Sequence, residues 1–244
     1  MNLSPPYERE FASALKALAS VRWRGSSERE FAACWPAFGD RYVRGNSLLV
    51  VGRATNGFEG PFSLPDLVTH SGLVAADARK FAEANPLTWL HNTASYKRGG
   101  TTASHSAFWR VTQRIAQRPG VEPTGVEWWQ TLAWSNLSKI APFEKGNPPD
   151  ALWKAHISAA RGLLKREVEE MRPGVVLVIA PDELQSRFFD SPSRTSFDDG
   201  SGGRFVRGYS RWCDTIVIHA ERPEYKPESE FAEAVERALR NAGY

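Results

Sequence analysis

Hydrophobic residues follow two rhythms along this chain. Short unbroken apolar runs occur at Ser47–Gly52, Val175–Ile179 and Thr215–His219, and each stops at a glycine, a proline or a polar residue. Runs of that length, rich in Val, Ile and Leu, predict buried strands of the parallel-sheet kind. Between them the apolar positions recur every three or four residues, which predicts amphipathic helices. Phe11, Leu15 and Leu18 mark a helix over Tyr7–Ser20, behind Pro5-Pro6. Ser26-Ser27 followed by Glu28 and Glu30 reads as the capped start of a second helix. Further helices are expected over Leu73–Ala84, Leu87–Asn92, Ser106–Gln117, Trp128–Leu132, Pro148–Met171, Pro181–Phe189 and Pro227–Ala242. Trp134–Ile140 and Arg204–Arg207 read as further strands, and Asp190–Gly203, mostly Ser, Asp, Gly and Pro, as a mobile loop.

Strands alternating with helices predict one α/β domain over residues 1–244: a three-layer sandwich with a central, mostly parallel sheet of four to five strands flanked by helices. Residues 1–45 are expected to form an N-terminal helical extension packed on its outside. With 244 residues, 41% hydrophobic and 24% charged, the composition is that of an ordinary globular protein. No apolar run approaches the roughly 20 residues that span a bilayer. The first residues lack the basic flank and apolar core of a signal peptide, so a cytoplasmic monomer away from membranes is expected. Cys34 and Cys213 are too few for a disulfide framework or a cysteine zinc site, and read as small buried hydrophobes.

Net charge is only +3, but its distribution is uneven. No acidic residue lies between Glu83 and Glu122, where Lys97, Arg98, Arg110, Arg114 and Arg118 fall. Such a stretch faces either an anion such as phosphate or acids brought up in space. Most of the nine tryptophans sit among apolar neighbours and read as core.

Candidate chemistry lies where strands end, because ligands of open α/β sheets bind at the carboxyl ends of the strands. Three such ends are polar: Gly52-Arg53-Ala54-Thr55-Asn56, then Ser135-Asn136-Leu137-Ser138-Lys139, then His219-Ala220-Glu221-Arg222. Each has a plain structural alternative. Asn136 can satisfy loop backbone, His219 can be a hydrogen-bonded core histidine, and Asn56-Gly57 can be only a turn. No Walker loop, Gly-x-Gly-x-x-Gly or Gly-x-Ser-x-Gly motif occurs, and the five histidines show no metal-ligand spacing.

The order strand-Gly-x-x-x-Asn, Asn-Leu-Ser-Lys-Ile-Ala-Pro, Arg-Pro-Gly-Val-Val-Leu-Val-Ile and Ile-Val-Ile-His, over about Ser47–Glu236, resembles the uracil-DNA glycosylase superfamily. That resemblance implies recognition, with excision, of a damaged base in DNA by N-glycosidic hydrolysis, with no cofactor and no metal. Asn136 would read the base, beside Gly52, and Phe58 or Phe62 would stack on it. His219 would stabilise the leaving base, and Asn56 or Glu59 would position water, since Ala54 stands where the family often has a water-orienting Asp or Asn. Arg53, Lys139, Arg110, Arg114 and Arg222 would hold phosphates, and Arg222 or Tyr225 would fall in a loop inserted into the duplex. Two alternatives stay open: a catalytically inactive nucleic-acid or nucleotide-binding protein on the same fold, and an unrelated small-molecule α/β hydrolase using Ser135 or Ser138 with His219.

Overall fold

The computed structural model describes residues 3–22, 29–54, 60–84, 87–90, 106–117, 126–144, 146–189 and 194–244. Six helices and ten strands are described, in the order α1 (Pro5–Ala17), β1 (Glu30–Ala33), β2 (Ala37–Phe38), β3 (Leu48–Gly52), β4 (Phe62–Ser63), α2 (Leu67–Ala84), α3 (Ala107–Ala116), β5 (Leu132–Asn136), β6 (Ile140–Pro142), α4 (Asp150–Met171), β7 (Val175–Ile179), α5 (Asp182–Phe188), β8 (Thr195–Ser196), β9 (Val206–Trp212), β10 (Thr215–Ala220) and α6 (Glu228–Asn241).

The main sheet has seven strands in the order β2-β5-β3-β7-β10-β9-β8. Its centre, β5-β3-β7-β10, is parallel, while β2, β9 and β8 add antiparallel edges. The α/β expectation is met, with a wider and more mixed sheet than the four to five strands expected. A second, small antiparallel sheet, β4-β1-β6, lies beside it.

Side-chain parity divides the core in two. Leu49, Val51, Val176, Val178 and Val217 point to one face and pack with α1, α2 and α4. Val50, Leu177, Ile179, Ile216 and Ile218 point to the other and pack with α3 and α6. Helices therefore cover both faces, as the unbroken apolar strands require.

Several elements differ from the sequence expectation. Residues 1–45 are not a helical extension. In α1, Tyr7 and Phe11 are fully buried in the main core, and Glu30–Ala33 is a strand where a second helix was expected. Tertiary pairing decides this: Phe31, Ala32 and Ala33 bond to β6, and Phe31 also to β4. Residues 128–131 are a turn, and the stretch Trp134–Ile140 is two short strands with a kink at residues 137–139. β9 runs on to Trp212, past the expected end at Arg207, because it pairs residue by residue with β10. Among the described residues no helix is long and apolar enough to cross a membrane.

Candidate functional site

Along the parallel centre of the sheet the strands stand in the order second, first, third, fourth. The chain goes from β3 outward to β5, then crosses back to β7 on the other side. In open α/β sheets such a reversal marks the switch point, here between the carboxyl ends of β3 and β7, where a ligand crevice is expected. The segment leaving β3 enters it as Gly52-Arg53-Ala54. Asn56, Phe58 and Glu59 lie outside the described residues.

Gly52 sits opposite Asn136 in the β3–β5 register. The pairing continues past the strand ends, with Leu137 N–H donating to Gly52 O at 2.8 Å and Ser138 N–H to Arg53 O at 3.0 Å. A Cβ on Gly52 would stand 2.6 Å from Asn136 Oδ1. The absent side chain is what leaves room for the amide. Asn136 is 1% exposed, and its Nδ2 donates to Cys34 Sγ at 3.0 Å. Burial pushes the Cys34 thiol up to about 12, against the pull of Lys139. The Asn136 amide is thus turned inward on a neutral thiol, not outward as a reader of a base edge. Gly52→Ala is expected to force that amide aside and cost about 1–3 kcal/mol, read as a lower urea midpoint; an unchanged midpoint would show that Asn136 is freely movable.

Arg53, just past the end of β3, is partly buried. Its Nε is buried with no hydrogen-bond partner. Burial, and then the nearby Arg222, lower the guanidinium's proton affinity, while Glu224 opposes them. Arg222 donates its Nε to Glu224 at 3.2 Å, and its Nη2 to the same oxygen. Glu224 is thus bonded to Arg222 through one oxygen, its Oε2 is buried without a partner like Arg53 Nε, and the two guanidinium groups near it carry more charge than one carboxylate balances. Glu224 escaped the sequence reading; its only signal was the charged run Glu221-Arg222-Pro223-Glu224 behind a strand end.

The same edge carries more cations. Arg207 Nε pairs with Glu221 at 2.9 Å. Burial lowers the Lys226 ammonium, opposed by Glu221 and assisted by Arg204 and Arg207. The chain before β9 was expected to be mobile, yet its described part folds around Asp199. That carboxylate accepts from the N–H groups of Ser201, Gly203, Phe205 and Val206 at 2.8–3.0 Å. Burial alone would raise the carboxyl, but these donors and the Ser201 hydroxyl hold it well below the usual range.

His219 lies elsewhere. Ser135, Val51, Val178 and His219 form one register row across β5, β3, β7 and β10. Neighbours in such a row point to the same face, so His219 shares Ser135's face, and Asn136, one residue on, points to the other. Asn136 and His219 are also three strand spacings apart, about 14 Å. The expected meeting of amide and imidazole around one base does not occur.

Hydrogen bonding explains what His219 does. Gln185 Nε2 donates to Ala180 O at 2.6 Å and to Ala220 O at 2.8 Å, so its Oε1 is left to accept. His219 Nδ1 lies 2.9 Å from that oxygen and must carry the proton. Nε2 is then the acceptor for the Ser210 hydroxyl, at 2.9 Å. The ring is 1% exposed, and burial lowers its pKa to about 3, with Arg194 contributing. It is a neutral clamp joining α5, β9 and β10.

Lys139 is likewise not a phosphate ligand. Its ammonium is fully buried, 2.7 Å from Glu167 Oε1, 2.7 Å from Ser135 Oγ and 2.8 Å from Asn136 O. The Tyr7 hydroxyl donates to Glu167, and Ser135 Oγ donates to it at 2.7 Å. Lys139 N–H donates to His156 Nε2 at 3.1 Å; burial, with Lys139 nearby, lowers that imidazole to about 3. This cluster ties α1, α4 and β5 together. Glu167 stands in the apolar stripe of α4 with Leu163, Leu164, Val168 and Met171, the one trace of it in the sequence.

The remaining candidates are accounted for structurally. Phe62 is 6% exposed, with its ring 6.5 Å from that of Phe31, and is core rather than a stacking platform. On α3, Arg110 and Arg114 face Glu228 of α6, at 2.5 and 3.5 Å. Acids brought up in space balance this part of the basic stretch; Lys97, Arg98 and Arg118 lie outside the described residues. Ser138 donates to Ile140 O at 2.6 Å, and Ser135 to Glu167, so neither forms a dyad with His219. Among the described residues no group of three His, Cys, Asp or Glu is placed to hold a metal. No protein-family model and no curated protein matches this chain, so the chemistry of the site has to be read from its own residues.

Proposed function

We propose that this chain is a divergent uracil-DNA glycosylase-like domain that binds nucleic acid at the carboxyl edge of its parallel strands, without base excision through His219. The observation that carries the reading is the Arg53–Arg222 pair in the switch-point crevice, with a buried Arg53 Nε that has no partner. A phosphate would supply the missing acceptor and neutralise the excess charge, and guanidinium groups suit phosphate in geometry. Arg204, Arg207 and Lys226 extend the positive edge along which a backbone would run. Gly52, at the end of β3, has no side chain to stand over the Asn136 amide. The resemblance in element order, joined to this placement of cations, favours DNA over a small anionic metabolite. Glycosylase chemistry needs a group that can stabilise charge on the leaving base, and a histidine with both ring nitrogens committed in the core does not supply it.

Binding of labelled single- and double-stranded oligonucleotides, followed by anisotropy across a salt series, tests this. The wild-type affinity is expected to fall steeply with salt, and Arg53→Ala and Arg222→Ala each to reduce the slope of log K against log salt by about 1. Affinity that ignores both substitutions, or no salt dependence, would remove the proposed site. A parallel assay uses oligonucleotides carrying uracil or hypoxanthine. Base release by the wild type that a folded His219→Gln variant loses would overturn the non-excising reading.

A further inference from the structure

The opposite edge of the sheet holds a cavity that none of the chemistry above uses. It has a volume of about 230 Å³ and lies between the amino ends of the parallel strands and helices α3 and α6. Its walls are apolar: Leu48, Leu132 and Val175 from the strand starts, Ile115 from α3, and Val235 and Leu239 from α6. It is a recess that opens to solvent beside the exposed Arg41, Val43 and Asn46. An apolar cavity of about 150 Å³ already takes up benzene.

Three features point to an occupant with one anionic end. Val43 and Tyr244, two of the five large apolar side chains left exposed among the described residues, border the cavity at 56% and 44% exposure. Arg41 is the one charged residue of the lining, and no carboxylate among the described residues pairs with it. Asn46, Ser47 and Thr131 supply further polar groups to the lining. The frame is also preformed. Arg41 N–H donates to Gln130 O at 2.9 Å, Val43 N–H to Ser47 Oγ at 2.7 Å, and Gly174 N–H to Ser47 O at 2.9 Å. A rigid apolar recess with a few fixed polar groups is the usual form of a small-molecule site.

We infer that this cavity binds a small apolar monocarboxylate, its ring or short chain among Leu48, Val175 and Leu239 and its carboxylate on Arg41. One guanidinium suits one planar carboxylate. The site is independent of the nucleic-acid edge and stands or falls without it.

The probes are 3-phenylpropionate and its neutral amide, titrated into the full chain and followed by backbone amide NMR and thermal melting. The acid is expected to shift the amides of Leu48, Val175 and Leu239 and raise the melting midpoint, and to bind about threefold more tightly than the amide. Arg41→Gln, at an exposed position, is expected to erase that preference while leaving the fold intact. Ala116→Phe, which fills the cavity from α3, is expected to abolish binding of both probes, with its urea midpoint showing that it folds. Equal binding of acid and amide by the wild type would overturn the carboxylate assignment. Absence of shifts at those amides, or shifts that survive in folded Ala116→Phe, would overturn the site.

Discussion

Lys139→Met is expected to destabilise the protein by about 3–5 kcal/mol, because it leaves the buried Glu167 carboxylate without its counter-charge. That is a large part of the 5–15 kcal/mol by which a domain is usually stable, so the variant should show a much lower urea midpoint. Lys139 and Glu167 are both fully buried. The attraction between them does not by itself make the pair stabilising, since both charges had to leave water. What makes the single substitution costly is the orphaned charge. The double variant Lys139→Met/Glu167→Gln is therefore expected to regain most of the loss: the amide is neutral, its oxygen can still accept from Tyr7, and its NH2 group, standing where the second carboxylate oxygen was, can donate to the Ser135 oxygen that Lys139 no longer occupies. A single variant within 1 kcal/mol of wild type, or a double variant no better than the single, would mean that Lys139 and Glu167 are not the buried, mutually dependent pair described.

The second large effect is with pH. His156 and His219 are both buried and neutral, with pKa values lowered to about 3, mainly by burial. In the unfolded chain each returns to the ordinary value of about 6.5. Between those values the unfolded state binds the proton and the folded state does not, so acid pulls the equilibrium toward unfolding. The stability each histidine contributes is full above pH 6.5 and disappears as pH falls toward 3. At pH 5 each has lost about 2 kcal/mol and the pair about 4 kcal/mol, relative to pH 8. Urea titrations between pH 8 and 4.5 check this before most carboxylates titrate. The limiting slope should approach two protons, and His156→Leu should bring it to one. A limiting slope of one in the wild type would show that one of the rings reaches water, and a flat profile that both do. The same result bears on function: a His219 that titrates near neutrality would be accessible enough to act on a ligand.

His219 also shows how far the sequence reaches. Its position at the end of an apolar run marked it as a strand residue next to polar loop residues, and that was correct. Its face was not legible. A strand alternates sides with every residue, so a change of one position in register moves a side chain across the sheet. Register depends on pairing with β9 across the Cys213-Asp214 turn and, above all, with β7, which is distant in the chain. The same applies to Lys139, whose partner Glu167 lies on α4, and to Arg110, whose partner Glu228 lies 118 residues away. Glu30–Ala33 looked like a helix start because capping residues and acids precede it, and cross-strand bonding to β6 and β4 overrode that local preference.

From the sequence alone came the strand–helix alternation, the three buried parallel strands, and helices α1, α3, α4, α5 and α6 to within a few residues. These are local matters: burial on one or both faces imprints its own period on neighbouring residues. Only the tertiary structure decided which strand-end groups meet. It brought Arg53 to Arg222, gave Lys139 to Glu167, enclosed His219 between Gln185 and Ser210, and left a cavity at the far edge of the sheet. Charge pairing, side-chain facing and empty volume are set by groups far apart in the chain, and no periodicity within a segment records them.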